Sequence, residues 1–129
     1  MLPTYARMRR SIDFRRTVRL GVRAGRRTLV VHAFRTSPTP LTDDHTVAAD
    51  PTRRGPLVGF VVSKAVGSAV CRNRVRRRLR HLTRPHLSEL SAGTTVVVRA
   101  LPPAASAGAD LSTDLDAAWT SAIAKLGRR

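Results

Sequence analysis

Short runs of β-branched and apolar residues punctuate this chain, and between them apolar positions recur at helical spacing. Thr28 to Arg35 (TLVVHAFR), Leu57 to Ser63 (LVGFVVS) and Thr94 to Ala100 (TTVVVRA) predict three strands. The continuous apolar run of the second points to burial on both faces or close to it. A first helix is predicted from about Ile12 to Leu20, with Ser11 as N-cap, Asp13 in the first turn and Gly21 as the stop. Ile12, Arg16 and Arg19 fall near one of its faces, and Phe14 and Val18 on another. A helix this short is marginal alone and must lean on a sheet. The helix predicted to be the longest is opened by Gly67-Ser68 and runs to about Arg84, where Pro85 ends or kinks it. Cys71, Val75, Leu79 and Leu82 form its apolar stripe, predicted to dock on the sheet. Asn73, Arg77, Arg80 and Arg84 lie opposite, with Arg72 and Arg76 on the flank. Pro102 to Gly108 is predicted as loop. A final helix is capped by Asp110 or Ser112 and reaches about Leu126, with Leu111, Leu115, Trp119, Ile123 and Leu126 as its apolar positions.

The predicted order is α-β-β-α-β-α: an α+β fold, an α/β sandwich with a small sheet packed by helices. Length predicts one domain over residues 1–129, with an extended stretch at 1–10 and no internal repeats. Residues 36–56 hold four of the eight prolines and three of the eight acids, which predicts an exposed, flexible hairpin loop. The predicted βαβ connection would by general rule be right-handed.

Charge changes the picture most. Lys and Arg number 24 against 8 Asp and Glu, a formal net charge of +16. So much self-repulsion in a small chain calls for a polyanionic partner, nucleic acid first and an anionic membrane surface second. The cations are nearly all Arg, Lys64 and Lys125 excepted, and a guanidinium fork suits phosphates and base stacking. A GC-rich genome explains that preference equally well, but not the sign or size of the charge. Cys71 is the only cysteine, which excludes an intrachain disulfide and a zinc site built on Cys pairs. The N-terminus lacks the apolar segment of a signal peptide, and no run of eighteen apolar residues occurs. The expected setting is soluble and cytoplasmic.

Charge and pattern meet in one helix. Seven of the thirteen positions from Arg72 to Arg84 are Arg, and no acid occurs from Val62 through Ser88. Solvated faces usually mix signs to limit repulsion, so this face fits phosphate-backbone binding by counterion release. Asn73 stands out among the arginines; its amide can donate to phosphate or a base edge, or accept from water. Other candidate chemistry is weaker. Asp43, Asp44 and His45 form the only compact acid/His cluster, on a Pro-rich loop that is a poor base for a rigid site. His81 and His86 read as RNA-facing or partly buried, Cys71 as a small core residue, Trp119 as core. Composition alone fits a ribosome- or rRNA-binding protein equally well. A DNA-binding helix module and a cationic membrane-surface protein fit less well, the first because strands flank the basic helix, the second for want of aromatic anchors.

The stretch from Val58-Gly59 through Ser63-Lys64, Gly67 and Arg72-Asn73-Arg74 to Arg76-Arg77 closely resembles the signature of the bacterial ribonuclease P protein component. The upstream Arg7-Met8-Arg9-Arg10-Ser11-x-Asp13-Phe14 is similar to that family's entry into its first helix. The order of elements agrees along nearly the whole chain outside residues 36–56. The resemblance implies a left-handed βαβ crossover. It also implies an accessory subunit without catalytic groups or metal of its own, one protein per catalytic RNA. The RNA and substrate carry Mg²⁺, and the assembly cleaves precursor tRNA to make the mature 5′ end. The RNA-contacting residues carried over are Arg72, Asn73, Arg74, Arg76, Arg77, Arg80, Ser63 and Lys64. Phe14 matches an aromatic that lines a cleft for the 5′ leader, and Val18 and Val31 stand where many members have aromatics. Without π-stacking at those two positions, leader binding is expected to rest on charge from Arg7, Arg9, Arg10, Arg16 and Arg26.

Overall fold

The computed structural model describes residues 7–8, 11–35 and 56–127. Helix α1 (Ser11–Leu20) is followed by strands β1 (Val22–Gly25), β2 (Leu29–Arg35) and β3 (Leu57–Val61), helix α2 (Ala69–Thr83), strand β4 (Thr94–Ala100) and helix α3 (Asp110–Gly127). Short 3₁₀ turns precede α2 (Lys64–Val66), follow it (Arg84–Glu89) and precede α3 (Pro102–Ser106). The loop predicted at 36–56 lies outside the described residues except for Pro56.

The sheet has four strands in the order β1-β2-β4-β3, one more than the three predicted. The missed strand, β1, is only Val-Arg-Ala-Gly at a sheet edge, too short and too mixed for a period-two signal. It pairs antiparallel with β2, which pairs antiparallel with β4. β3 and β4 pair in parallel, joined through α2, so the sheet is mixed. At the outer edge of β3, Met8 donates to the Val58 carbonyl at 2.9 Å and is itself buried.

Register sorts the side chains, because directly opposed residues share a face. One face presents Ala24, Leu29, Val31, Ala33, Val58, Val96, Val98 and Ala100, and α3 covers it with Leu111, Leu115, Ala118, Trp119, Ala122 and Leu126. The other carries Arg23, Val30, His32, Phe34, Thr95, Val97, Arg99, Leu57, Gly59 and Val61. Helix α1 crosses this second face over β2 and β4, anchored by a 2.7 Å hydrogen bond between the Thr17 and Thr95 hydroxyls.

Helix α2 departs from expectation in its partners. Its main neighbours are the three 3₁₀ turns and α3, not the sheet. Val75 and Leu79 enter the common core. The third fully buried position is Thr83, while Cys71 and Leu82 are half-buried. The helix is also not the longest, at 15 residues against 18 in α3. Its predicted stop holds: it ends at Thr83, and the chain turns 3₁₀ through Pro85.

Candidate nucleic-acid interface

Local sequence builds the start of the basic helix. Gly67 sits at φ 154°, where a side chain is disfavoured and its Cβ would crowd Cys71. That turn sets Ser68 in extended geometry, and its hydroxyl accepts from the Cys71 amide at 3.2 Å, capping α2. The exposed Ser63 and Lys64 precede this corner. Asn73, Arg74 and Arg77 project into solvent from the first turns of α2, and Arg72, Arg76 and Arg80 are half-buried. Arg76 donates to the Asn73 side-chain oxygen at 3.1 Å, so the asparagine orients a guanidinium as well as offering its own amide. Arg78 instead bonds the Gly108 carbonyl and ties α2 to the turn before α3.

A cationic cluster extends beyond the helix. Burial lowers the Arg80 pKa from its ordinary value, and the neighbouring Arg7 and Arg76 guanidiniums lower it further. Arg7 reaches this place because its backbone bridges to Val58 at the edge of β3. The Nε atoms of Arg7 and Arg72 are buried without a hydrogen-bond partner. Like charges held this close, without a carboxylate partner among the described residues, form a surface that a phosphate backbone would stabilise.

A family model described as ribonuclease P matches residues 2–123. The chain belongs to the ribonuclease P protein family. It is 51% identical over 117 residues to the ribonuclease P protein component of Nocardioides sp. (strain ATCC BAA-499 / JS614), covering 90% of each chain. To that of Streptomyces bikiniensis it is 55% identical over 121 residues, 92% of each chain. Among solved structures, Staphylococcus aureus RNase P protein superposes with a TM-score of 0.71 at 24% identity, covering 94% of this chain and 96% of that one. At that identity the likeness speaks for the fold.

The arginines carried over from the family signature lie along one helix, and Arg7 stands beside Arg80 of that group. The leader set is dispersed. Phe14 is half-buried with its ring on Gly59 of β3; a Cβ there would lie 2.4 Å from that ring, the physical reason for a glycine in this strand. Val18 is exposed on α1. Val31 requires correction: it is fully buried among the core residues beneath α3, on the sheet face away from Phe14. Apolar residues stand at consecutive positions on both sides of His32 in the run LVVHAF, so alternation does not say which residues face the core. Arg16 is exposed on the outer side of α1, and Arg26 is exposed at the β1–β2 turn, at the end of β2 far from α1. Arg9 and Arg10 lie outside the described residues.

Sequence reasoning missed the residues that the α1-side face does carry. His32 is buried there with neither ring nitrogen hydrogen-bonded. Burial lowers its pKa, and Arg23 and Arg99 beside it act in the same direction, favouring the neutral ring. Arg23 and Arg99 are themselves exposed. One signal was available, since His32 is the only polar residue between Leu29 and Phe34.

Proposed function

We propose that this chain binds the catalytic RNA of ribonuclease P through the cationic side of α2, and holds the 5′ leader of precursor tRNA along the α1 side of the sheet. The chain thereby assists removal of the leader. The observation that carries the reading is the guanidinium cluster of Arg72, Arg74, Arg76, Arg77 and Arg80, extended by Arg7 and without a carboxylate partner among the described residues. Phe14, Val18, Arg23 and Arg99 line the proposed leader path, and Ser63 and Lys64 flank the catalytic-RNA contact.

In this reading the chain binds and orients while RNA does the chemistry. Among the described residues no group of three or more His, Cys, Asp or Glu is placed to hold a metal ion. Asp110, Asp114 and Asp116 contact Arg27, Thr28 and His86. In this reading Mg²⁺ belongs to the RNA and substrate, where it would supply Lewis-acid charge stabilisation. Among the described residues no helix is long and apolar enough to cross a membrane. A cytoplasmic ribonucleoprotein with one protein per RNA is the assembly proposed.

Reconstitution tests this. Mixed with its cognate catalytic RNA at low Mg²⁺, the protein is expected to accelerate 5′ cleavage of leader-bearing precursor tRNA, and the protein alone to cleave nothing. Absence of stimulation would leave an rRNA-binding role, and RNA-free cleavage would overturn the accessory assignment.

A further inference from the structure

Helix α1 has two sides of different character. The inner side docks on the sheet through Phe14 and Thr17. The outer side carries Ile12, Arg15, Arg16, Arg19 and Leu20 around a shallow groove. These positions follow i, i+3, i+4, i+7 and i+8, which places them in one stripe along the helix. The helix has one acid, Asp13, and it is outside the stripe and half-buried.

Two features separate this stripe from an ordinary solvated face. Its charges are of one sign, three guanidiniums within five residues. It also leaves large apolar side chains in water at both ends, with Ile12 49% and Leu20 54% exposed. Guanidiniums bracketed by aliphatic side chains match a single-stranded nucleic acid, which presents phosphates together with unstacked bases and ribose edges. A duplex would offer this helix phosphates but keep its base faces stacked and out of reach of Ile12 and Leu20. Position favours the same partner. A strand running along the sheet past Phe14 and Val18 meets α1, and the outer stripe is the side of that helix turned away from the sheet.

We propose that the outer face of α1 is a second single-strand contact, receiving the part of the precursor leader that extends beyond the sheet. The assignment rests on the leader-binding reading above. It relocates Arg16 from the sheet-side group to this stripe and adds Arg15 and Arg19, to which the sequence pattern assigned no role.

The experiment uses the assembled holoenzyme and two precursor tRNAs, one with a leader short enough to end on the sheet and one with a long leader. The unmodified protein is expected to bind the long-leader substrate more tightly. An Arg15→Ala/Arg19→Ala variant should lose that gain while short-leader affinity stays within about twofold, as expected for exposed charges with no ion pair among the described residues. Its salt dependence on the long-leader substrate should flatten by about 0.7 log units for each phosphate it no longer neutralises. An Ile12→Ser/Leu20→Ser variant should lose part of the gain with the salt slope unchanged. Full retention of the gain in both variants would overturn the proposal. So would equal losses on both substrates, or weakened assembly with catalytic RNA, because the stripe would then serve another RNA. If the unmodified protein shows no dependence on leader length and Phe14→Ala is silent, the leader reading itself fails.

Discussion

Helices α2 and α3 are both amphipathic and pack against one another, yet they use charge in opposite ways. α3 buries six residues, Trp119 among them, and its acids hold structure. Asp114 accepts from both the amide and the hydroxyl of Thr28, at 3.2 and 2.6 Å. Asp116 contacts His86 at 2.7 Å, and that ring stacks near Trp119 with centroids 5.1 Å apart. α2 buries three residues and carries six arginines, of which only Arg78 is bonded to another element among the described residues. A charge already satisfied within the fold has little left to offer a partner. The unsatisfied guanidiniums are therefore the reason α2 is proposed as the binding helix, and substitutions should separate the two roles cleanly.

The largest effect is expected at Trp119, which is fully buried. Trp119→Ala should cost about 3–5 kcal/mol of unfolding free energy, because the ring's packing disappears and a cavity stays behind. A urea titration checks it, and RNA affinity per folded molecule should stay unchanged. Next comes Asp114→Ala, which strands the Thr28 donors at the foot of β2 and should cost about 1–3 kcal/mol in the same assay. If either variant weakened RNA binding beyond its effect on folding, the division between the two helices would break.

Arg72→Ala/Arg74→Ala should do the reverse. Stability should move by less than about 0.5 kcal/mol. Assembly with catalytic RNA should weaken, and its salt slope should flatten by about 0.7–0.9 log units for each phosphate left without its guanidinium. An unchanged slope would mean that these side chains do not reach RNA.

The smallest effect sharpens the picture of α3. Burial disfavours the charged His86 ring, but hydrogen bonds and charge from Asp116 and Glu89 outweigh it and raise its pKa above the ordinary 6.5. A group with a raised folded-state pKa stabilises the fold fully below its unfolded value, and that stabilisation is lost as pH rises through the folded value. Urea midpoints should therefore fall across the range just above pH 6.5. His86→Gln should flatten that dependence, and a dependence unchanged by the substitution would remove His86 as its source.

The contrast between α2 and α3 also bears on what the chain reveals without its fold. Apolar spacing locates all three helices and the three longer strands, β4 at its observed ends, because local pattern and core burial agree there. The Arg72-Asn73-Arg74 helix is legible because a one-signed run of arginines has no local means of neutralisation. Facing is less legible. In β2, buried residues occupy both sides of the sheet, so the pattern cannot assign Val31 to the core or His32 to the α1 side. Only pairing with β4 fixes that phase. β1 exists because β2 offers it an edge, not because four mixed residues favour a strand.

What the sequence determined by itself was therefore the three helices and the three longer strands, the excess of positive charge and the helix that concentrates it. Tertiary structure decided which cations share a surface. It brought Arg7 beside Arg80, turned Arg15, Arg16 and Arg19 outward, and seated α2 on its flanking turns and α3 instead of the sheet. Spacing within one helix follows from a fixed rise and turn per residue. Proximity between elements depends on strand register and packing, which no local stretch of the chain encodes.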